Sequence, residues 1–254
     1  MSTYNDLGVV PCELDGGIAS RAAIGLVTLA TDQTMEYEFR KLITMPGVGV
    51  FVSRVWNDAD ITPEALRAIR NHIAPGTRLI LPGLPLDVVA FGCTSATMAL
   101  GEDAIFEEIR KERPEAKCTT PITAAFAAFR AVGAKRIGIL TPYADAVNRI
   151  VRAYFEDHGV EVGAFTTFNK LDDREAARIS LASIEEAAAA LSAATDLDAL
   201  FISCTSLRLS DKISQIEARC GLPVTSSDHA LAWHCLRLGG VDDQLPAAGR
   251  LFEV

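Results

Sequence analysis

Two cysteines in this chain stand in the same local sequence. One is reached by Asp87-Val-Val-Ala-Phe-Gly-Cys-Thr-Ser95, the other by Asp198-Ala-Leu-Phe-Ile-Ser-Cys-Thr-Ser206. In each, a short apolar run leads into the cysteine, Cys93 or Cys204, and two hydroxyl residues follow it: Thr94 and Ser95, Thr205 and Ser206. A near-continuous apolar run of this length reads as a strand buried on both faces, and open α/β sheets bind ligands beyond the carboxyl ends of such strands. A cysteine there lies beside the start of the next helix, where free N–H groups and the helix dipole favour an anion. That predicts a thiol pKa lowered from ~8.5 toward roughly 3.5–7.5. The hydroxyls beside it would serve a bound carboxylate or a developing oxyanion. Two inert buried cysteines repeated by descent would leave the polar pair beside each one unexplained.

Two thiols facing each other suit few reactions. A carbon between them can lose a proton to one and gain a proton from the other, which is racemisation without a cofactor. Alternatively, one thiolate adds to a double bond, the bond rotates, and the other thiol supplies a proton, which is cis-trans isomerisation. Each transfer by a positioned group contributes on the order of 10²–10⁴ in rate. The two sulfurs are therefore expected on opposite walls of one cleft.

The elements that must hold them can be read along the chain. Strands are expected at residues 23–29, 49–55, 88–92, 117–119, 136–141, 161–165, 199–203 and 222–225. Helical patterns lie at 34–43, 62–73, 104–112, 124–132, 144–158, 172–194, 210–219 and 230–238. Strands alternating with helices imply parallel βαβ units. The order also repeats: Ala23-Ile-Gly-Leu-Val-Thr28 with Asp32 beyond it matches Arg136-Ile-Gly-Ile-Leu-Thr141 with Asp145 beyond it, and each copy then reaches its Cys-Thr-Ser. Two copies of four strands predict an α/β protein of two flavodoxin-like lobes. Each lobe is a four-stranded parallel sheet with helices on both faces, and a pseudo-two-fold axis relates them. Residues 20–118 with 230–254 are assigned to the first lobe, carrying Cys93, and 119–229 to the second, carrying Cys204.

Composition narrows the function classes. The chain has 254 residues, 49% hydrophobic and 22% charged, enough to bury a core. Its 33 acidic and 24 basic residues give a formal charge of −9 with no basic cluster, which disfavours nucleic acid as a partner. No apolar run approaches the ~18 residues of a membrane helix, and the N-terminal residues lack a secretory signal, so the cytoplasm is the expected compartment. Cys12, Cys118, Cys220 and Cys235 read as small buried hydrophobes, and no CxxC pair suggests zinc. There is no GxGxxG, Walker or HExxH motif, and Gly16-Gly17 reads as a turn. Neither a metal nor an organic cofactor is expected.

With the cysteine pair, Thr141-Pro-Tyr-Ala-Asp-Ala-Val-Asn148, Pro223-Val-Thr-Ser-Ser227 and Gly249-Arg-Leu-Phe252, the chain resembles the aspartate/glutamate racemase superfamily. Within it, the similarity is to the branch of maleate cis-trans isomerase, arylmalonate decarboxylase and the ectoine-utilisation protein of the racemase type, over nearly the whole chain. The resemblance implies that Cys93 and Cys204 are the catalytic pair. It places Tyr143 by a substrate carboxylate, with Thr94, Ser95 and Thr205 lending donors. Arylmalonate decarboxylase has a small non-thiol residue at the first cysteine, so keeping both argues against simple decarboxylation. Maleate isomerase carries an asparagine where this chain has Asp32, and a carboxylate facing a dicarboxylate would be repulsive. Asp32 suits an ammonium-bearing substrate instead, unless it only caps helix 34–43. Asn169 resembles a carboxylate-binding asparagine of maleate isomerase, and His229 could line the cleft. Trp56 and Trp233 read as packing residues.

The leading reading is an isomerase of the racemase or epimerase type acting on a small carboxylate or amino acid. Maleate-type cis-trans isomerisation and arylmalonate-type decarboxylation are the alternatives among enzymes. A small-ligand-binding module is the alternative outside them, although a binder has no need of two thiols at matched strand ends. A homo-oligomer is expected from the family and from the general commonness of symmetric assemblies.

Overall fold

Each apolar run becomes a strand and each periodic stretch a helix. The computed structural model describes residues 4–58 and 62–254. The first half runs β1 (Ala22–Leu29), α1 (Met35–Leu42), β2 (Val48–Val55), α2 (Pro63–Ala68), α3 (Arg70–Arg78), β3 (Val88–Gly92), α4 (Thr94–Leu100), α5 (Glu102–Arg110), β4 (Lys117–Thr119) and α6 (Pro121–Val132). The second runs β5 (Arg136–Tyr143), α7 (Asp145–Asp157), β6 (Glu161–Lys170), α8 (Asp173–Ala176), α9 (Leu181–Ala194), β7 (Ala199–Ile202), α10 (Ile213–Cys220), β8 (Val224–Ser226) and α11 (Ser227–Leu238), followed by two short 3₁₀ turns. Both sheets are wholly parallel and have the same order, β2-β1-β3-β4 and β6-β5-β7-β8. The sequence repeat is therefore a repeat of topology.

Alternation along the strands shows how the first sheet is covered. Ile24, Leu26, Val88 and Ala90 enter one core with Phe39 of α1 and Leu231 of α11. Val27, Val89 and Phe91 enter another with Leu66 of α2 and Ile105 of α5. Neighbouring residues of a strand point to opposite faces, so this sheet is buried on both, as parallel sheets require. Gly92 lets α1 approach β3: a Cβ there would stand 2.3 Å from the Met35 sulfur.

Helix ends follow local caps. Thr62 and Thr120 accept from Ala65 N–H and Thr123 N–H, each ahead of a proline in the first turn. Two expected helices are each divided. The 62–73 stretch breaks at Ile69 into α2 and α3, and the 172–194 stretch breaks before Ser180, whose hydroxyl starts α9 by accepting from Ser183 N–H. Two expected packing residues also stand outside: Cys12 and Trp56 are exposed, Trp56 at 71%, whereas Trp233 is buried.

Hydrogen bonds at three places tie the halves together near the strand ends. Glu38 of α1 accepts from Leu209 N–H (3.0 Å), Ser210 N–H (2.8 Å) and the Ser210 hydroxyl (2.9 Å). Thr34 donates to the Thr205 carbonyl (2.5 Å). Thr94 Oγ1 donates to Ser227 Oγ (2.7 Å). Glu38 is wholly buried, and burial raises its pKa while these donors pull it down.

Candidate active site

The carboxyl ends of β3 and β7 occupy equivalent places in the two sheets. One pocket, about 410 Å³ with its mouth included, takes in the cysteine beyond each of them. Cys93 is the N-cap of α4 in extended backbone; its sulfur accepts from Ala96 N–H at 3.4 Å and lies 3.7 Å from Ser95 Oγ. The Cys204 sulfur accepts from Ser206 N–H at 3.4 Å. Tyr143, at the end of β5, sets its phenol against both thiols and the Ser95 hydroxyl.

The thiols do not have the lowered pKa expected of a strand-end cysteine. Burial pushes Cys93 up to about 12; the Ala96 N–H and Ser95 hydroxyl pull it down, and the charges of Asp173 and Asp32 push it further up. Cys204 is raised by burial first and by Asp173 second. Burial likewise raises Tyr143, so the phenol stays a neutral donor at any working pH. Desolvation outweighs one or two N–H groups because both sulfurs are almost out of solvent, at 4% and 3% exposure.

Polar and apolar walls face each other. Leu29 ends β1, and Ala65, Leu66 and Ile69 come from α2 and its end; together they form an apolar side. Ser95, Tyr143, Thr205, Asn57, Asp58 and Asp173 form the polar side. None of the described residues lining the pocket is lysine or arginine.

Asp173 was not singled out from sequence. It opens α8, its Oδ1 accepts from the Ser206 hydroxyl and its Oδ2 from the Thr31 hydroxyl at 2.9 Å. Asn57 completes the chain by donating to Thr31 Oγ1 at 2.9 Å. Read alone, Asp173 is one acid in the run Asp172-Asp173-Arg174-Glu175, and only the return of α8 over the pocket distinguishes it.

The other expected site residues have these places. Ser95 and Thr205 line the pocket; Ser206 lies behind it, holding Asp173. Thr94 is turned away and bonds Ser227. Asp32 is buried and does not line the pocket: its Oδ1 accepts from Thr34 N–H (3.1 Å) and Met35 N–H (2.9 Å), which is the work of a helix cap. Burial pushes its carboxyl up to about 7, the two N–H groups oppose this, and the charge of Asp173 adds to it. Asn169 is exposed at φ 51, bordering a surface groove between α7 and β6 with Arg149 and Arg152. His229 is wholly buried: Nε2 donates to the Ala248 carbonyl (2.7 Å), so Nδ1 accepts from Thr225 Oγ1 (2.9 Å). Burial lowers its pKa to about 4, so the ring is neutral and fastens the C-terminal residues to α11.

Comparison with known proteins gives a consistent answer. The family model described as arylmalonate decarboxylase matches residues 82–252. Arylmalonate decarboxylase of Bordetella bronchiseptica is 30% identical over 197 residues, covering 76% of this chain and 82% of that protein. Maleate isomerase of Nocardia farcinica (strain IFM 10152) is 28% identical over 243 residues, covering 91% and 95%. Among solved structures, a mutant of Nocardia farcinica maleate cis-trans isomerase with a covalently bound succinylcysteine intermediate superposes with a TM-score of 0.80, at 24% identity, covering 91% of this chain and 98% of that one.

Proposed function

Because this chain belongs to the arylmalonate decarboxylase family, on the maleate isomerase and arylmalonate decarboxylase branch of the aspartate/glutamate racemase superfamily, we propose that it is a cofactor-independent isomerase of the racemase or epimerase type. Its substrate is a small carboxylate bearing an ammonium group, and Cys93 and Cys204 are its proton-transfer pair. The observation that carries this reading is the meeting of both thiols, three hydroxyl donors and the carboxylate of Asp173 in one pocket.

The chemistry follows from charge. In this pocket both sulfurs rest as thiols, because burial disfavours thiolate first, and the charge of Asp173 at both sulfurs and of Asp32 at Cys93 adds to it. An ammonium group bound against Asp173 changes both terms: it neutralises the carboxylate and places a cation near the sulfurs, lowering the cost of a thiolate. The substrate carboxylate is met by the hydroxyls of Ser95, Thr205 and Tyr143, and its apolar remainder lies against Leu29, Leu66 and Ile69. One cysteine gives up its proton to solvent as the ammonium group binds and, as thiolate, takes the proton from the carbon beside the carboxylate. The other, as thiol, gives its proton to the opposite face. The enzyme finishes with the roles of the two sulfurs exchanged, and a proton returned through solvent resets them. No electron leaves the pair and no co-reactant is consumed.

Maleate-type isomerisation is the second reading. It is favoured by the maleate isomerase relatives and by the succinylcysteine on one solved neighbour. Against it, a dianion beside Asp173 adds repulsion and pushes the thiols further up. Decarboxylation needs one proton donor and leaves the second cysteine without work.

A panel of amino acids, maleate and aryl-substituted malonates, incubated in deuterated water and followed by NMR, tests the reading. Deuterium entering at the α-carbon of an amino acid supports it. Cys93→Ala and Cys204→Ala should each stop racemisation, and each should leave exchange from one enantiomer only. Fumarate from maleate, or release of carbon dioxide with no α-exchange anywhere in the panel, would replace it by the corresponding alternative.

A further inference from the structure

We propose that residues 4–19 form an arm that docks in the groove between α1 and the outer edge of β2 on a second copy of this chain. The arm contains no helix or strand, and it exposes Tyr4, Leu7, Val9, Val10, Leu14 and Ile18 at between 68% and 101% of their full surface. None of the six joins a described hydrophobic core. Single exposed apolar residues are ordinary, but a run of them on one uncovered segment marks an interaction site.

The same chain carries a surface of matching character. Phe39, Ile43, Val48, Val50 and Val52, with Glu36 and Arg40, line a groove of about 830 Å³, mouth included. Among the described residues β2 pairs only with β1, so the backbone groups on its other side are open to a further strand. The internal repeat supplies a control. The equivalent groove of the second lobe, between α7 and β6, is lined by Asp145, Asn148, Arg149, Arg152 and Thr167, with Phe165 as its apolar member. The topology therefore does not dictate an apolar groove at this place; only the first lobe has one.

Length and charge fit as well. Two aspartate turns, Gly8 N–H to Asp6 Oδ1 (2.9 Å) and Gly17 N–H to Asp15 Oδ1 (2.7 Å), bracket residues 9–14. Six residues in extended form span about 20 Å, within the length of the 8-residue strand β2. Pro11 is tolerated because an added strand is itself an edge. The arm carries Asp6, Glu13 and Asp15 and no lysine or arginine, and at the groove Glu36 pairs with both Arg40 and Arg54, two cations to one carboxylate. The partner is a second copy because the single chain leaves both surfaces uncovered. Two-fold exchange covers both on both copies, as an isologous contact does.

Cys12 in the arm is a free, exposed thiol and serves as a reporter. With Val52→Cys in the full chain, mild oxidation should give a disulfide-linked dimer on a non-reducing gel, with peptide mapping placing the bond between Cys12 and the introduced thiol. Light scattering of the unaltered protein should give twice 27.2 kDa. Val10→Asp with Leu14→Asp should raise the dimer dissociation constant at least tenfold with an unchanged circular dichroism spectrum. A disulfide closed within one chain, no disulfide at Cys12, a particle of one chain at high concentration, or a dimer indifferent to the arm substitutions would each overturn the proposal.

Discussion

Asp32→Asn separates a helix cap from a substrate contact, and the structure gives its magnitude. Asp32 Oδ1 accepts the Thr34 and Met35 N–H groups, and asparagine keeps that acceptor. What the substitution removes is an ionisation. Burial raises the carboxyl pKa from 3.8 to about 7 in the folded chain. A group raised on folding contributes stability in full below its unfolded pKa and loses it as pH climbs through the folded one. For Asp32 that window runs from about pH 4 to about pH 7. At ~1.4 kcal/mol per pH unit the loss amounts to at most about 4 kcal/mol. Urea unfolding of both proteins at pH 4, 6 and 8 should therefore give similar stabilities at pH 4. Above that the variant should gain steadily, with a constant advantage beyond pH 7 no larger than about 4 kcal/mol. KM for an amino-acid substrate should change little, because Asp32 does not line the pocket. A stability difference that is the same at all three pH values would refute the assignment of a buried, raised carboxyl. A loss in kcat/KM of tenfold or more would show that Asp32 meets the substrate after all, since a charge-assisted hydrogen bond is worth about 1.5–3 kcal/mol.

Asp173→Asn should weaken amino-acid substrates by roughly ten- to a hundredfold in kcat/KM, for the same 1.5–3 kcal/mol, and should improve handling of maleate; steady-state kinetics on both substrates decides, and an equal loss on both would contradict the charge argument. Gly92→Ala should destabilise the protein by about 1–3 kcal/mol and lower kcat, because its methyl group would drive Met35 off β3 next to Cys93; a variant with the unfolding midpoint of the unaltered protein would count against that packing. Glu38→Ala should cost about 2–3 kcal/mol, because it leaves the buried Leu209 N–H and the Ser210 N–H without their acceptor; thermal unfolding reads it directly.

The sequence by itself determined the elements and their repetition. Short runs of three to seven residues alternating with helical patterns fix parallel strands, and all eight expected strands are present, some with shifted ends. The matched Cys-Thr-Ser triplets determined that the two cysteines would stand at equivalent strand ends, and the structure puts both in one pocket. Local chemistry also named the alternative that the geometry bears out for Asp32, a helix cap, since Asp32 precedes Thr34 and Met35 by the spacing a capping carboxylate uses.

Only the tertiary structure decided which polar groups line the pocket. Asn169 and His229 are credible in sequence, yet one is exposed on an outer groove and the other is buried with both ring nitrogens engaged. Asp173 looks like one acid in a charged turn until Thr31 and Ser206 hold it over the sulfurs. Nor can spacing state the protonation of the thiols. A strand end and helix start favour thiolate locally, but the penalty of burial sums over every element packed around the sulfur, and that sum is larger. Strand and helix formation depend on neighbours in the chain, which a sequence displays. Solvation and side-chain direction depend on neighbours in space, which only the folded chain brings together.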